Sequence, residues 1–232
     1  MSSFTSTPEG GFQAVLFDLD GTLVDTAPDM VAVLQAMQTD RDVEPVPYEL
    51  GRSFVSNGAI GLLRLGFPGM DVDFGDAMHH EYLERYAEAL CEESRVFAGL
   101  DTLLDRLDEA DHPWGVVTNK PEHLTAPLLE ALGLATRSAC TVSGDSLPVR
   151  KPDPGPLLLA CDIASVESYR TIYVGDAARD IEAGLAAGMS TIGVTYGYVP
   201  AEVDPREWGA DLLVDDAEEL AQILLKAVNL VT

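Results

Sequence analysis

Four groups of residues in this 232-residue chain have the types and spacing to do chemistry. Asp18-Leu19-Asp20-Gly21-Thr22 follows the apolar run Ala14-Val15-Leu16-Phe17. Two carboxylates two residues apart on an extended strand end point to the same side. Thr118-Asn119-Lys120 follows Trp114-Gly115-Val116-Val117 and offers a hydroxyl, an amide and an ammonium group. Lys151-Pro152 comes after Cys140-Thr141-Val142, and Gly175-Asp176 closes Thr171-Ile172-Tyr173-Val174, with Asp180 one helical turn further on. Singly, each has an ordinary explanation: Asp-Gly makes turns, Thr-Asn caps helices, and acids sit at helix N-termini. Their joint placement behind successive strands points to one shared site, because ligands in open α/β sheets lie outside the carboxyl ends of the strands. Four carboxylates brought together resist ionising as a set. A lysine and a divalent cation are the natural compensation, and a small all-oxygen ligand set favours Mg2+ over zinc or copper.

The elements that must position these groups are legible as strands alternating with helices. Two further apolar runs, Thr191-Ile192-Gly193-Val194 and Asp211-Leu212-Leu213-Val214, complete the strand series. Leu100, Leu103, Leu104 and Leu107 share one helical face, as do Leu124, Leu128, Leu129 and Leu132 before Gly133. Pro127 inside the second pattern leaves its start open. Ile181 to Ala187 is a third helix, stopping at Gly188. The expected fold is α/β, a doubly wound parallel sheet. The alternation breaks once, between the first two strands. There, Met30, Val33, Leu34 and Met37, then Ile60, Leu63 and Leu65, then Met78, Tyr82, Tyr86 and Leu90 read as helices. This predicts an inserted all-helical domain over residues 25–95, a core over 12–24 and 96–232, and a loose tail over 1–11.

Composition bounds the function. Hydrophobic residues at 47% and charged residues at 23% are globular values. No apolar run is long enough to span a membrane, and the first residues carry neither a basic segment nor an apolar one; a cytoplasmic protein is expected. With 39 Asp+Glu against 14 Lys+Arg, the net charge of −25 opposes nucleic-acid binding. Only Lys120, Lys151 and Lys226 are lysines, so two of the three fall in the motif groups. Cys91, Cys140 and Cys161 form no CxxC pair and are expected as reduced thiols.

The segment Phe17-Asp18-Leu19-Asp20-Gly21-Thr22-Leu23-Val24-Asp25-Thr26 resembles motif I of the haloacid dehalogenase (HAD) superfamily. Thr118-Asn119 resembles its motif II, Lys151-Pro152 its motif III, and Gly175-Asp176-Ala177-Ala178-Arg179-Asp180 its motif IV, in the family's order. The helical insert is similar to the family's C1 cap. The resemblance implies phosphoryl transfer through an aspartyl-phosphate. Asp18 would be the nucleophile, and Asp20 the acid for the leaving alkoxide and then the base for water. Lys151 and Thr118 would hold the phosphate oxygens, and Asn119 would orient the phosphate or Asp18. Mg2+ would be held by Asp18, Asp176 and the Asp20 carbonyl, with Asp180 as a ligand or in support.

Within the superfamily, Asp20 argues against a dehalogenase, and a lysine-free segment 25–95 argues against a phosphonate hydrolase. Val117-Thr118-Asn119-Lys120-Pro121, Lys151-Pro152-Asp153-Pro154, Tyr196-Gly197-Tyr198 and Asn57-Gly58-Ala59 resemble the phosphoglycolate phosphatase group. Trp114-Gly115 and Trp208-Gly209-Ala210-Asp211 are more similar to the branch acting on N-acetylmuramic acid 6-phosphate. Both substrates are small phosphomonoesters that also bear a carboxylate. The N-terminus of a helix starting after Ser56-Asn57-Gly58, with Arg52 adding charge, is the candidate for that carboxylate. Lys120 is a further candidate substrate residue. A sugar-phosphate mutase, another sugar phosphatase and, from a different class, a HAD-like binding module without turnover are the alternatives.

Overall fold

The structure, a computed structural model, describes Phe4 and residues 8–230. Chain order is β1 (Ala14–Phe17), β2 (Val24–Asp25), α1 (Ala27–Thr39), α2 (Tyr48–Arg52), α3 (Gly58–Gly66), α4 (Ala77–Glu88), β3 (Arg95–Val96) and α5 (Leu100–Glu109). It continues through β4 (Trp114–Val117), α6 (Glu122–Ala131), β5 (Cys140–Val142), α7 (Gly155–Ala164), β6 (Thr171–Gly175), α8 (Ala178–Ala186), β7 (Ser190–Val194), β8 (Leu212–Val214) and α9 (Ala217–Ala227).

Six strands form one sheet in the order β5-β4-β1-β6-β7-β8, each pair parallel. The first strand is central, and the chain leaves it in opposite directions through β4 and β6, so the switch point lies at its carboxyl end. Continuous apolar runs are what such strands need, because helices cover both faces. Alternation along β1 sorts the faces: Val15 and Phe17 enter the cluster with α5 and α9, while Leu16 enters the cluster with Leu157, Ala160 and Ala183 of α7 and α8.

Helices α1, α3 and α4 build a separate cluster around Leu34, Met37, Leu62, Tyr82 and Tyr86. A two-strand antiparallel ribbon, β2 with β3, closes this helical segment at its base by pairing Val24 with Val96 and Asp25 with Arg95. Two-residue strands carry no periodic signature, which is why the sequence pattern shows no trace of the ribbon. Buried Asp29 seals the same neck, accepting the Glu93 and Ser94 N–H groups at 2.8 and 3.0 Å and the Ser94 hydroxyl at 2.6 Å.

Two local expectations need adjusting. Helix α6 starts at Glu122 and continues past Pro127, whose missing N–H and crowding ring do not end it. Most of the tail over residues 1–11 lies outside the described residues. Its described end is anchored: Arg170 Nε donates to the Gly11 carbonyl at 2.8 Å, and the Phe4 and Phe12 rings meet at 5.1 Å. All three cysteines are free thiols, and no helix among the described residues is long and apolar enough to cross a membrane.

Candidate active site

At the carboxyl end of β1 the chain turns sharply. The Leu19 carbonyl accepts the N–H groups of Leu23 and Val24, and Gly21 adopts φ +83°. A side chain on Gly21 would run into the Tyr198 ring and the Asp176 carboxylate, so glycine is required for contact as well as conformation. The turn lets Asp18 and Asp20 leave the same strand end.

Carboxylate oxygens of Asp18, Asp176 and Asp180 come within 4.8 Å of one another, and all three residues are buried. Lys151 holds the cluster from below. Its fully buried Nζ lies 2.9 Å from Asp18 Oδ1 and 2.7 Å from Asp180 Oδ1, and it also meets the Val117 carbonyl and the Tyr173 hydroxyl at 2.9 and 2.8 Å. Asp18 Oδ1 further accepts the Leu19 N–H at 2.8 Å, so both of these contacts fall on the one oxygen. In the first turn of α8, Asp180 Oδ2 accepts the Ala177 N–H at 3.1 Å, so this carboxylate caps the helix and faces the cluster at once.

Burial makes the charges costly. It pushes the Asp18 carboxyl above its ordinary range, with Lys151 opposing. Burial, then Asp18 and Asp180, push Asp176 up to about 7. Arg179 lines the cavity above, where Asp180, Asp18 and Asp176 outweigh the effect of burial and raise its pKa. Three carboxylates against Lys151 and Arg179 leave an excess of negative charge. Asp176 Oδ1 is buried without a hydrogen-bond partner, whereas Oδ2 accepts the Tyr198 N–H at 2.8 Å and the Ser56 hydroxyl at 2.7 Å. An orphaned carboxylate oxygen in an acidic, all-oxygen cluster fits a hard divalent cation such as Mg2+.

Asp20 stands at the rim. Its Oδ1 accepts Lys120 Nζ at 2.9 Å and the Thr26 hydroxyl at 2.6 Å. The buried Lys120 ammonium also meets the Tyr86 hydroxyl of α4 at 2.9 Å. Burial would lower the lysine pKa, but Asp20 and Tyr86 outweigh it and hold the pKa above its ordinary value. Thr118 is buried beneath the cavity with its Oγ1 accepting the Lys120 N–H at 3.1 Å, so its hydroxyl proton stays available.

Around these groups lies a cavity of about 1000 Å³, bounded below by the sheet edge and above by α3 and α4. The helical segment contributes Asn57, Gly58, Ile60, Phe74, His80 and Leu83; the core contributes His123 and Arg150. Asn57 makes no capping bond to α3, so the N–H groups at that helix start are not satisfied by it.

Two expected roles fall elsewhere. Arg52 does not face the cavity: its Nη1 and Nη2 donate to the Gly197 and Tyr196 carbonyls, both at 2.9 Å, and its guanidinium lies 5.0 Å from the centre of the Tyr198 ring. Asn119 clamps the Lys151 main chain, with both amide atoms engaged at 3.1 Å, and so aims the lysine instead of touching Asp18. Lys120 meets Asp20 first. Tyr86 and Tyr173 carry no sequence signal as site residues, because they sit in apolar helix and strand patterns, and Ser56, expected beside a substrate carboxylate, meets Asp176 instead.

A parallel sheet with its carboxylates and lysine gathered at the central switch point is the arrangement of an α/β enzyme. The chain belongs to the haloacid dehalogenase-like hydrolase family, whose model matches residues 15–194. It is 42% identical over 218 residues to the N-acetylmuramic acid 6-phosphate phosphatase of Pseudomonas aeruginosa, covering 93% of this chain and 96% of that protein. It is also 42% identical over 208 residues to the phosphoglycolate phosphatase of Xanthomonas campestris pv. campestris, covering 90% and 94%. Among solved structures, a crystal structure from Haemophilus somnus 129PT, described as a predicted phosphoglycolate phosphatase, aligns with TM-score 0.78 at 26% identity, covering 92% of this chain and 98% of that one.

Proposed function

We propose that the chain is a Mg2+-dependent phosphomonoesterase, with residues 12–24 and 96–232 as its catalytic core, residues 25–95 as a cap, and a cytoplasmic site of action. The observation that carries this reading is the buried trio Asp18, Asp176 and Asp180, held by Lys151 beneath a cavity with Asp20 at its rim. Asp18 attacks phosphorus, forming an aspartyl-phosphate as the ester P–O bond breaks. Asp20 gives its proton to the departing alkoxide. It then takes one from the water that attacks the aspartyl-phosphate, releasing inorganic phosphate and restoring Asp18. Lys120 Nζ, 2.9 Å from Asp20 Oδ1, holds that carboxylate in place at the rim of the site. Lys151, Thr118 and Arg179 supply positive charge and hydrogen bonds to the phosphoryl oxygens, where charge accumulates. When bound by Asp18, Asp176, Asp180 and the Asp20 carbonyl, Mg2+ supplies Lewis-acid neutralisation of that charge.

The substrate we favour is a carboxylate-bearing phosphomonoester, on the larger side. A cavity of about 1000 Å³ is at the upper end of the range for small-molecule sites, far beyond what a two-carbon phospho-acid fills. An amino-sugar acid phosphate uses that space, its ring against Phe74, Ile60 and Leu83, and its carboxylate towards the start of α3 at Asn57 and Gly58 or towards Arg150. The test is kcat/KM side by side for N-acetylmuramic acid 6-phosphate, 2-phosphoglycolate and a hexose phosphate. The expected order puts the first at least tenfold ahead, a gap that needs about 1.4 kcal/mol of differential transition-state binding. Preference for 2-phosphoglycolate would overturn the size argument while leaving the phosphatase standing.

A further inference from the structure

Among the described residues, a hydrogen bond joins the helical segment directly to the acidic cluster, and it is made by a residue no part of the proposed reaction needs. Ser56, in the short 3-10 turn Val55–Asn57, donates its hydroxyl to Asp176 Oδ2 at 2.7 Å, across 120 positions of sequence. The second donor to that oxygen is the Tyr198 N–H at 2.8 Å. Together they fix the plane of the carboxylate and occupy one oxygen, leaving Oδ1, buried and unpartnered, as the one free to ligate.

Both supports depend on the same stretch of the helical segment. Arg52, one turn before Ser56, grips the Tyr196 and Gly197 carbonyls and covers the Tyr198 ring. It therefore steadies the loop that presents the Tyr198 N–H. Tyr198 in turn reaches back to the base of the segment: its hydroxyl accepts the Thr26 and Ala27 N–H groups at 2.6 and 2.9 Å and donates to Asp25 Oδ1 at 2.8 Å. The geometry points to Ser56 as a positioning residue for the metal ligand Asp176, by which closure of the helical segment onto the core and cation binding strengthen each other. This rests on the proposed metal role of Asp176. Partners that hold a ligating carboxylate are commonly worth 10- to 100-fold in metal affinity, and a coupling of this kind acts equally in both directions.

The experiment is a Mn2+ titration of the full chain without substrate, reading free Mn2+ by electron paramagnetic resonance, for the parent, Ser56→Ala and Ser56→Thr. Ser56→Ala is expected to bind Mn2+ about tenfold more weakly, and Ser56→Thr, which keeps the hydroxyl, within about twofold of the parent. Hydrogen exchange over residues 48–66 should slow on Mn2+ addition in the parent and less so in Ser56→Ala. A folded Ser56→Ala protein that binds Mn2+ as tightly as the parent overturns the inference and leaves the metal site intact. A parent chain that binds no Mn2+ overturns the metal reading first, and this inference with it.

Discussion

Residue by residue, the site is a set of side chains held in costly positions by particular neighbours. Lys120 is the clearest case: scarce in the sequence, buried, and spent on Asp20 and Tyr86. Lys120→Met should lower kcat about 10- to 100-fold, the scale of disturbed acid–base catalysis, because Asp20 loses the ammonium that holds its Oδ1 at 2.9 Å. An unchanged kcat would make Lys120 a packing residue. Asp176 yields a stability prediction. Its native pKa of about 7 lies above the ordinary 3.8, so between those values the native state binds more protons than the unfolded one. Stability of the metal-free protein therefore falls as pH rises through that window. Thermal unfolding with EDTA should show a higher Tm near pH 5 than near pH 8, the difference shrinking in Asp176→Asn. Mg2+ should raise Tm more at the higher pH, where no proton competes for the carboxylate.

At the level of elements, the turn after β1 does the most for function. Gly21→Ala would place a methyl group against Tyr198 and Asp176 and force a left-handed conformation that alone costs about 1–2 kcal/mol. We expect a loss of several degrees in Tm and a larger loss of activity, because relief of the clash must move Asp176 or Tyr198. A variant with parental Tm and kcat would show that the loop 196–198 gives way freely. The strands themselves were legible because burial on both faces writes an unbroken apolar run. Trp114–Val117 and Cys140–Val142 match their sequence runs residue for residue. Helices were legible by leucine spacing, as in α5 with Leu100, Leu103, Leu104 and Leu107 all buried. The neck ribbon was not, being two residues wide.

Across the whole molecule, the core displayed its chemistry in local motifs and the helical segment did not. Asp18, Asp20, Thr118, Lys151, Asp176 and Asp180 each follow a strand, so a one-dimensional pattern carries their meeting place. Arg52 and Ser56 act across the interface with the core, through contacts to residues 176 and 196–197, and nothing in their neighbourhood announces those partners. A net charge of −25 repels an anionic substrate at long range, so on the proposed reading Lys151, Arg179 and a bound cation reverse the potential locally. That reversal and a nucleophilic Asp18 are the centre of the account. The most direct test is to quench the protein during turnover of N-acetylmuramic acid 6-phosphate with Mg2+, reduce with borohydride, and sequence the peptide by mass spectrometry. The account predicts homoserine at residue 18, absent with EDTA and absent in Asp18→Asn, which folds but releases no phosphate. Undiminished phosphate release by Asp18→Asn, or homoserine at another aspartate, would contradict it.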